Sequence, residues 1–192
     1  IEPTLYDYVV HKVISLQDNR TTGQQELYQS LIDFDKRNNY ADAAIYNEVQ
    51  KLKSESSNDF ETYLNSLIKI KNENLSNPLV TSVMALQAEA VLDLQTTDNG
   101  QRTLIESLSI CDEAMKLFPN SIGAKQCESI RSKILEKELT FSMQSVVLPN
   151  QKISASISYR NLTNPHYRIY QLSQIELDKL DGLSIQEIVK TL

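Results

Sequence analysis

The sequence holds no tryptophan, two histidines, two cysteines and four glycines in 192 residues, and each scarcity removes a class of function. His11 and His166 stand far apart, with no ligand or nucleophile spacing around either, so neither a hydrolytic triad nor a histidine-based metal site has a visible constellation. The glycines stand singly at 23, 100, 123 and 182, which excludes a glycine-rich phosphate loop. Cys111 and Cys127 lack C-x-x-C spacing, which argues against thioredoxin-type or zinc chemistry. Positive charge is short as well. Lys and Arg number 19 against 25 Asp and Glu, for a net charge of −6. A nucleic-acid surface needs the opposite balance to offset phosphate charge. No apolar run reaches the ~18–20 residues that cross a bilayer. No signal peptide opens the chain either, and Ile1 leads straight into folded-looking sequence, which leaves the compartment open.

What is present describes an architecture. Hydrophobic residues at 41% and charged residues at 23% suit a globular core. Few glycines and thinly spread prolines favour long regular elements. Helical spacing recurs from the start. Residues 4–16 carry Leu5, Val9, Val13 and Leu16 on one stripe, with Thr4 as N-cap behind Pro3. Residues 24–37 carry Leu27, Leu31, Ile32 and Phe34 and break at Asn38-Asn39; 40–53 carry Ala44, Ile45, Val49 and Leu52. Asp59 caps a helix through Tyr63, Leu67 and Ile70, and Asn77-Pro78 starts the next through Val83, Leu86 and Ala90. Segments 102–118 and 121–135 complete the series. The short connections predict antiparallel neighbours.

One unit in this series is repeat-like. Ser107, Cys111, Ala114 and Pro119 sit where the second helix of a tetratricopeptide-type hairpin places small residues and a terminating proline. The fold class expected is mainly α: an antiparallel helical-hairpin, tetratricopeptide-like array, followed by a short antiparallel β segment and C-terminal helices. A generic helical bundle is the alternative.

From Leu139 the period changes to two. Ile153, Ala155, Ile157 and Tyr159 fall on one face, with Ser154, Ser156, Ser158 and Arg160 on the other. Strands are expected at about 139–148, 151–161 and 166–172, as a meander, before helices at 174–180 and 184–192, the second with a Ser184/Glu187 capping box. The expected domains are 1–137, helical, and 138–192, a partial β-sandwich with a helical tail. Three strands bury one face only and leave two edges, which predicts that this domain continues past Leu192.

Acid–base candidates are weak: Asp33/Asp35 and Asp112/Glu113 read as solvated helix-face carboxylates. Cys111 and Cys127 lie about equally far from the Pro119-Asn120 turn, so a hairpin brings them to one height. Two readings stay open: a structural disulfide in an oxidising compartment, or two buried thiols serving as small hydrophobes. The sequons at Asn19, Asn74 and Asn161 are expected by chance in an Asn-rich chain and carry no function.

Three blocks together carry a likeness: PTLYDYVVHKVISL (3–16), SICDEAMKLFPNSIGAKQCESI (109–130) and LPNQKISASISYRNLTNPHYRIYQL (148–172). They resemble the N-terminal region of the large alpha-2-macroglobulin-like proteins of Bacteroidetes-type bacteria. The resemblance implies a helical, tetratricopeptide-like segment ahead of tandem macroglobulin-type β-sandwich domains, the third block being the opening strands of the first. It implies a periplasmic or cell-surface protein, often anchored through a lipidated N-terminus outside this chain. The full-length protein would trap or inhibit proteases, and this compartment would favour the disulfide. The family's reactive thioester does not carry over, because Cys127-Glu128-Ser129 departs from C-x-E-Q. The function expected of this chain is a non-catalytic scaffold or docking segment, with no cofactor and no metal. The alternative is a tetratricopeptide-type protein-interaction adaptor.

Overall fold

The structure, a computed structural model, describes residues 2–16, 22–55, 60–93, 100–144, 152–168, 170–184, 187, 188 and 190. The chain is mainly α, with a short two-stranded antiparallel sheet. It divides into two compact units, Ile1–Leu135 and Glu136–Leu192.

The first unit contains α1 (Leu5–Leu16), α2 (Thr22–Arg37), α3 (Ala41–Glu55), α4 (Phe60–Glu73), α5 (Val80–Asp93), α6 (Gly100–Leu117) and α7 (Ile122–Leu135). Local chemistry sets several of the boundaries. Thr4 caps α1 through a reciprocal pair of bonds with Asp7: the Asp7 carboxylate accepts from the Thr4 N–H at 3.1 Å, and Thr4 Oγ1 accepts from the Asp7 N–H at 3.3 Å. At the end of α2, Asn39 takes φ of 60° and Tyr40 N–H bonds the Asp35 carbonyl at 2.9 Å. That is a left-handed C-cap of the Schellman kind, in which asparagine substitutes for the usual glycine. Asn77 Oδ1 accepts from Leu79 N–H at 2.8 Å, and a 3₁₀ turn through Asn77–Val80 precedes α5. The expected Asp59 cap lies outside the described residues.

α5 is the hub, packing on α4, α6 and α7. It is buried almost all round, Val80, Met84, Ala88 and Val91 included, so its apolar positions form no single stripe. One core joins α5, α6 and α7 through Met84, Ala88, Cys111, Ala114, Cys127 and Ile130; a second joins α3, α4 and α5 through Ile45, Val49, Leu67, Ile70 and Val83. The small residues of the repeat-like unit are fully buried at Ser107, Cys111 and Ala114. Ser107 Oγ donates to the Ala88 carbonyl at 3.0 Å, a contact that requires close approach of α5 and α6.

α1 departs from expectation. Its predicted core stripe, Leu5, Val9, Val13 and Leu16, is exposed, and the buried positions are Asp7, Val10 and Ile14. Both faces are apolar enough to serve, and the one that turns inward packs Val10 and Ile14 on Leu31.

In the second unit β1 (Glu138–Met143) pairs with β2 (Ala155–Arg160) in the register Leu139↔Tyr159, Phe141↔Ile157, Met143↔Ala155. The apolar alternation lands on one face as the period predicts, and every residue of both strands is exposed. Both strands are shorter than expected. Residue 144 and residues 152–154 are irregular, while 145–151 lie outside the described residues. The third strand at 166–172 is not formed; its described residues are irregular. Strand stability comes from cross-strand pairs and from burial of a face. With both faces of β1 and β2 exposed among the described residues, another strand gains only ladder bonds, so alternation alone does not bring it into the sheet. Asn161, with φ of 55°, closes the pair by donating from Nδ2 to the Glu136 carbonyl at 2.8 Å. α8 (Gln174–Leu180) follows, and the turn at Gly182 takes φ of 79°. The Ser184/Glu187 box forms as its spacing predicts: the Glu187 carboxylate accepts from Ser184 N–H at 2.8 Å, and Ser184 Oγ accepts from Glu187 N–H at 3.4 Å.

Candidate functional site

Alternate helices of the first unit share one groove of about 260 Å³. α3 supplies Ile45, Tyr46, Val49, Gln50 and Lys53; the segment at α5 supplies Leu79, Ser82, Val83, Leu86 and Glu89; α7 supplies Gln126. The floor is apolar because Ile45, Val49 and Val83 belong to the core between α3, α4 and α5. Polar groups, Gln50, Lys53, Glu89 and Gln126, also line it and can orient an occupant by hydrogen bonds. An apolar concavity with a few polar groups is the usual form of a ligand or peptide site.

Beside it lies a buried polar network that spacing alone did not reveal. Asp7, Asp35 and Asn47 are fully buried. Asn47 Nδ2 donates to Asp35 Oδ2 at 2.8 Å, and Asn47 Oδ1 faces His11 Nε2 at 2.7 Å. His11 Nδ1 meets Glu2 Oε1 at 3.1 Å. The His11 ring stands edge-on to Tyr46, one of the groove residues, at 6.0 Å. Burial first of all raises the Asp35 carboxyl to about 6; the hydrogen bond from Asn47 lowers it, and Asp7 raises it. Asp35, expected with Asp33 on a solvated helix face, is instead fully buried, because the packing of α1 on α2 covers it and gives it a carboxyl neighbour. His166 is exposed in the second unit. Asp112 and Glu113 lie at the surface as expected, where Asp112 pairs with Arg131 and Glu113 with Lys71.

Cys111 and Cys127 come together. Both are free thiols, fully buried in the α5–α6–α7 core, and their side chains are hydrogen-bonded to each other. That bond, then burial, pushes the Cys127 thiol up, so this sulfur is no nucleophile at neutral pH. Refolding in a glutathione redox buffer is expected to join them, with loss of two hydrogens in non-reducing mass spectrometry. A loop of this length stabilises by about 3 kcal/mol when closed. Two unmodified thiols after such refolding would leave the small-hydrophobe reading in place.

Among the described residues no helix is long and apolar enough to cross a membrane, and no group of three or more His, Cys, Asp or Glu could hold a metal ion. No protein-family model, no curated protein and no solved structure matches this chain.

Proposed function

We propose that this chain is a non-catalytic docking scaffold, and that the groove between α3, α5 and α7 is its binding surface. The observation that carries the reading is the groove's makeup: an apolar floor continuous with the core, polar groups along its lining, and walls from alternate helices of an array. Helical arrays bind extended or helical peptides in such grooves. The carboxyl pair Asp7/Asp35 gives no competing enzyme site, since both residues are sealed from solvent and out of reach of a substrate.

The hairpin supports the larger reading. Its bare apolar face, Leu139, Phe141, Met143, Ile157 and Tyr159, calls for a second sheet. We read it, with the sequence resemblance, as the start of a macroglobulin-type sandwich in a longer alpha-2-macroglobulin-like parent. That parent would act on proteases, at the periplasm or cell surface, and this chain would dock it to envelope proteins. An open reading frame running well past Leu192 with repeated sandwich patterns is the expected genomic context; one that stops there defeats the parent reading.

The docking role is tested directly by selecting peptides on the immobilised chain from a displayed random library. Leu86→Glu is expected to weaken the selected peptides at least tenfold while the far-UV circular dichroism stays helical. Peptides that bind the folded variant as tightly as the wild type would remove the groove from consideration.

A further inference from the structure

We propose that α1 is an acid-closed latch: Asp7 on α1 and Asp35 on α2 share one proton, and loss of that proton loosens α1 from the α2–α3 hairpin. The geometry is specific. Asp7 Oδ2 takes the Thr4 N–H and Oγ1–H, and Asp35 Oδ2 takes the Asn47 amide. The other oxygen of each carboxyl, Oδ1, is buried without a donor among the described residues. The two side chains are within hydrogen-bonding reach of each other. Two carboxylates are acceptors only and repel; one shared proton turns the contact into an O–H···O bond. A single proton thus replaces a buried repulsion with a bond between α1 and α2.

The titratable groups that face Asp35 are Asp7 and His11, both on α1, and α3 contributes the neutral Asn47. Asn47 donates to Asp35, so its oxygen is left to accept from His11 Nε2–H. His11 Nδ1 faces the Glu2 carboxylate, another acceptor. The ring thus ties α1 to α3 through Asn47. Among the described residues, the rest of the attachment is Val10 and Ile14 against Leu31, Leu27 and Tyr28, the Tyr6 ring on Phe34 at 4.6 Å, the Tyr6 and Ser30 hydroxyls at 3.2 Å, and the Gln24 amide on the Ile14 carbonyl.

The sign follows from Asp35, whose carboxyl is raised from 3.8 to about 6 when docked. Its contribution to docking is complete below the ordinary carboxylate value and is lost as pH rises through about 6. Between pH 5 and pH 8 this predicts a roughly tenfold rise in the opening constant of α1.

Hydrogen exchange read by mass spectrometry on the whole chain tests it, with rates corrected for intrinsic exchange. In the wild type, α1 peptides are expected to open about tenfold more at pH 8 than at pH 5, with α5 and α6 unchanged. Asp7→Asn supplies a permanent amide donor in place of the proton, and its α1 is expected to open equally at both pH values. Equal α1 protection in the wild type, or an undiminished tenfold change in Asp7→Asn, overturns the latch. Infrared spectroscopy of the wild type gives a check that needs no variant: a buried carboxylic-acid carbonyl band at pH 5 that vanishes through about pH 6. Absence of that band at pH 5 also overturns it.

Discussion

Replacing Gly123 with alanine is expected to destabilise the helical unit by about 3 kcal/mol, at the upper end of what overpacking costs. In an ordinary helix the same change would stabilise by up to about 1 kcal/mol, because alanine is the better helix former. The reversal comes from one contact. A Cβ at Gly123, in the first turn of α7, would lie 2.1 Å from both the Ser82 nitrogen and the Thr81 carbonyl carbon, and 2.4 Å from Thr81 Oγ1. Two of those atoms are backbone at the start of α5, and backbone cannot step aside as a flexible side chain would. α7 must move outward as a body. That movement strains the hydrogen bond between the Thr81 and Ser121 hydroxyls, 2.8 Å, and the Ser121 cap on Ala124 N–H, 3.1 Å. It also loosens Cys127 and Ile130 in the core. Urea denaturation followed by circular dichroism measures the effect, and a stabilised variant would mean that α7 does not approach α5 this closely.

Asn47→Ala is expected to cost about 3 kcal/mol, more than the ~1 kcal/mol of a typical hydrogen bond. The asparagine is fully buried and holds two partners at once, Asp35 at 2.8 Å and His11 at 2.7 Å. Truncation leaves the Asp35 carboxyl with no donor but the proton it shares with Asp7. The loss has a pH signature. The Asn47 hydrogen bond lowers the Asp35 carboxyl, so its removal raises that carboxyl further. The destabilisation is therefore smaller at pH 5, where Asp35 is largely protonated in the folded state, and larger at pH 8. Chemical denaturation at the two pH values reads it. A loss of equal size at both would show that Asn47 only fills space.

Much of this fold was legible because its signals are local. Thr4, Asn38-Asn39, Asn77 and Ser184 act on backbone groups within a few residues, and a cap or stop of that kind is visible wherever the chain is read. The switch from period 3.6 to period 2 from Leu139 is likewise local, and the faces of β1 and β2 follow from it. The closeness of Cys111 and Cys127 was legible for a related reason: equal distance from one turn sets equal height on a hairpin.

The failures share a cause too. α1 has two faces that could pack, and a helical stripe says which residues align without saying which stripe is covered. Packing of Val10 and Ile14 on Leu31 of α2 covers the other face, a contact that spacing does not encode. Strand 166–172 alternates well enough, yet a strand forms only where a neighbour and a covered face reward it. Gly123 looked like an isolated glycine until α5 came within touching distance.

By itself, then, the sequence determined where the helices lie, how they are capped, and that a hairpin with one apolar face follows them, since each rests on contacts within a few residues. Tertiary structure alone decided that α5 would be the hub, that α3, α5 and α7 would enclose a groove, and that Asp7 would meet Asp35. Those are pairings between elements tens of residues apart, and burial fixes them only once all the elements compete for the same core.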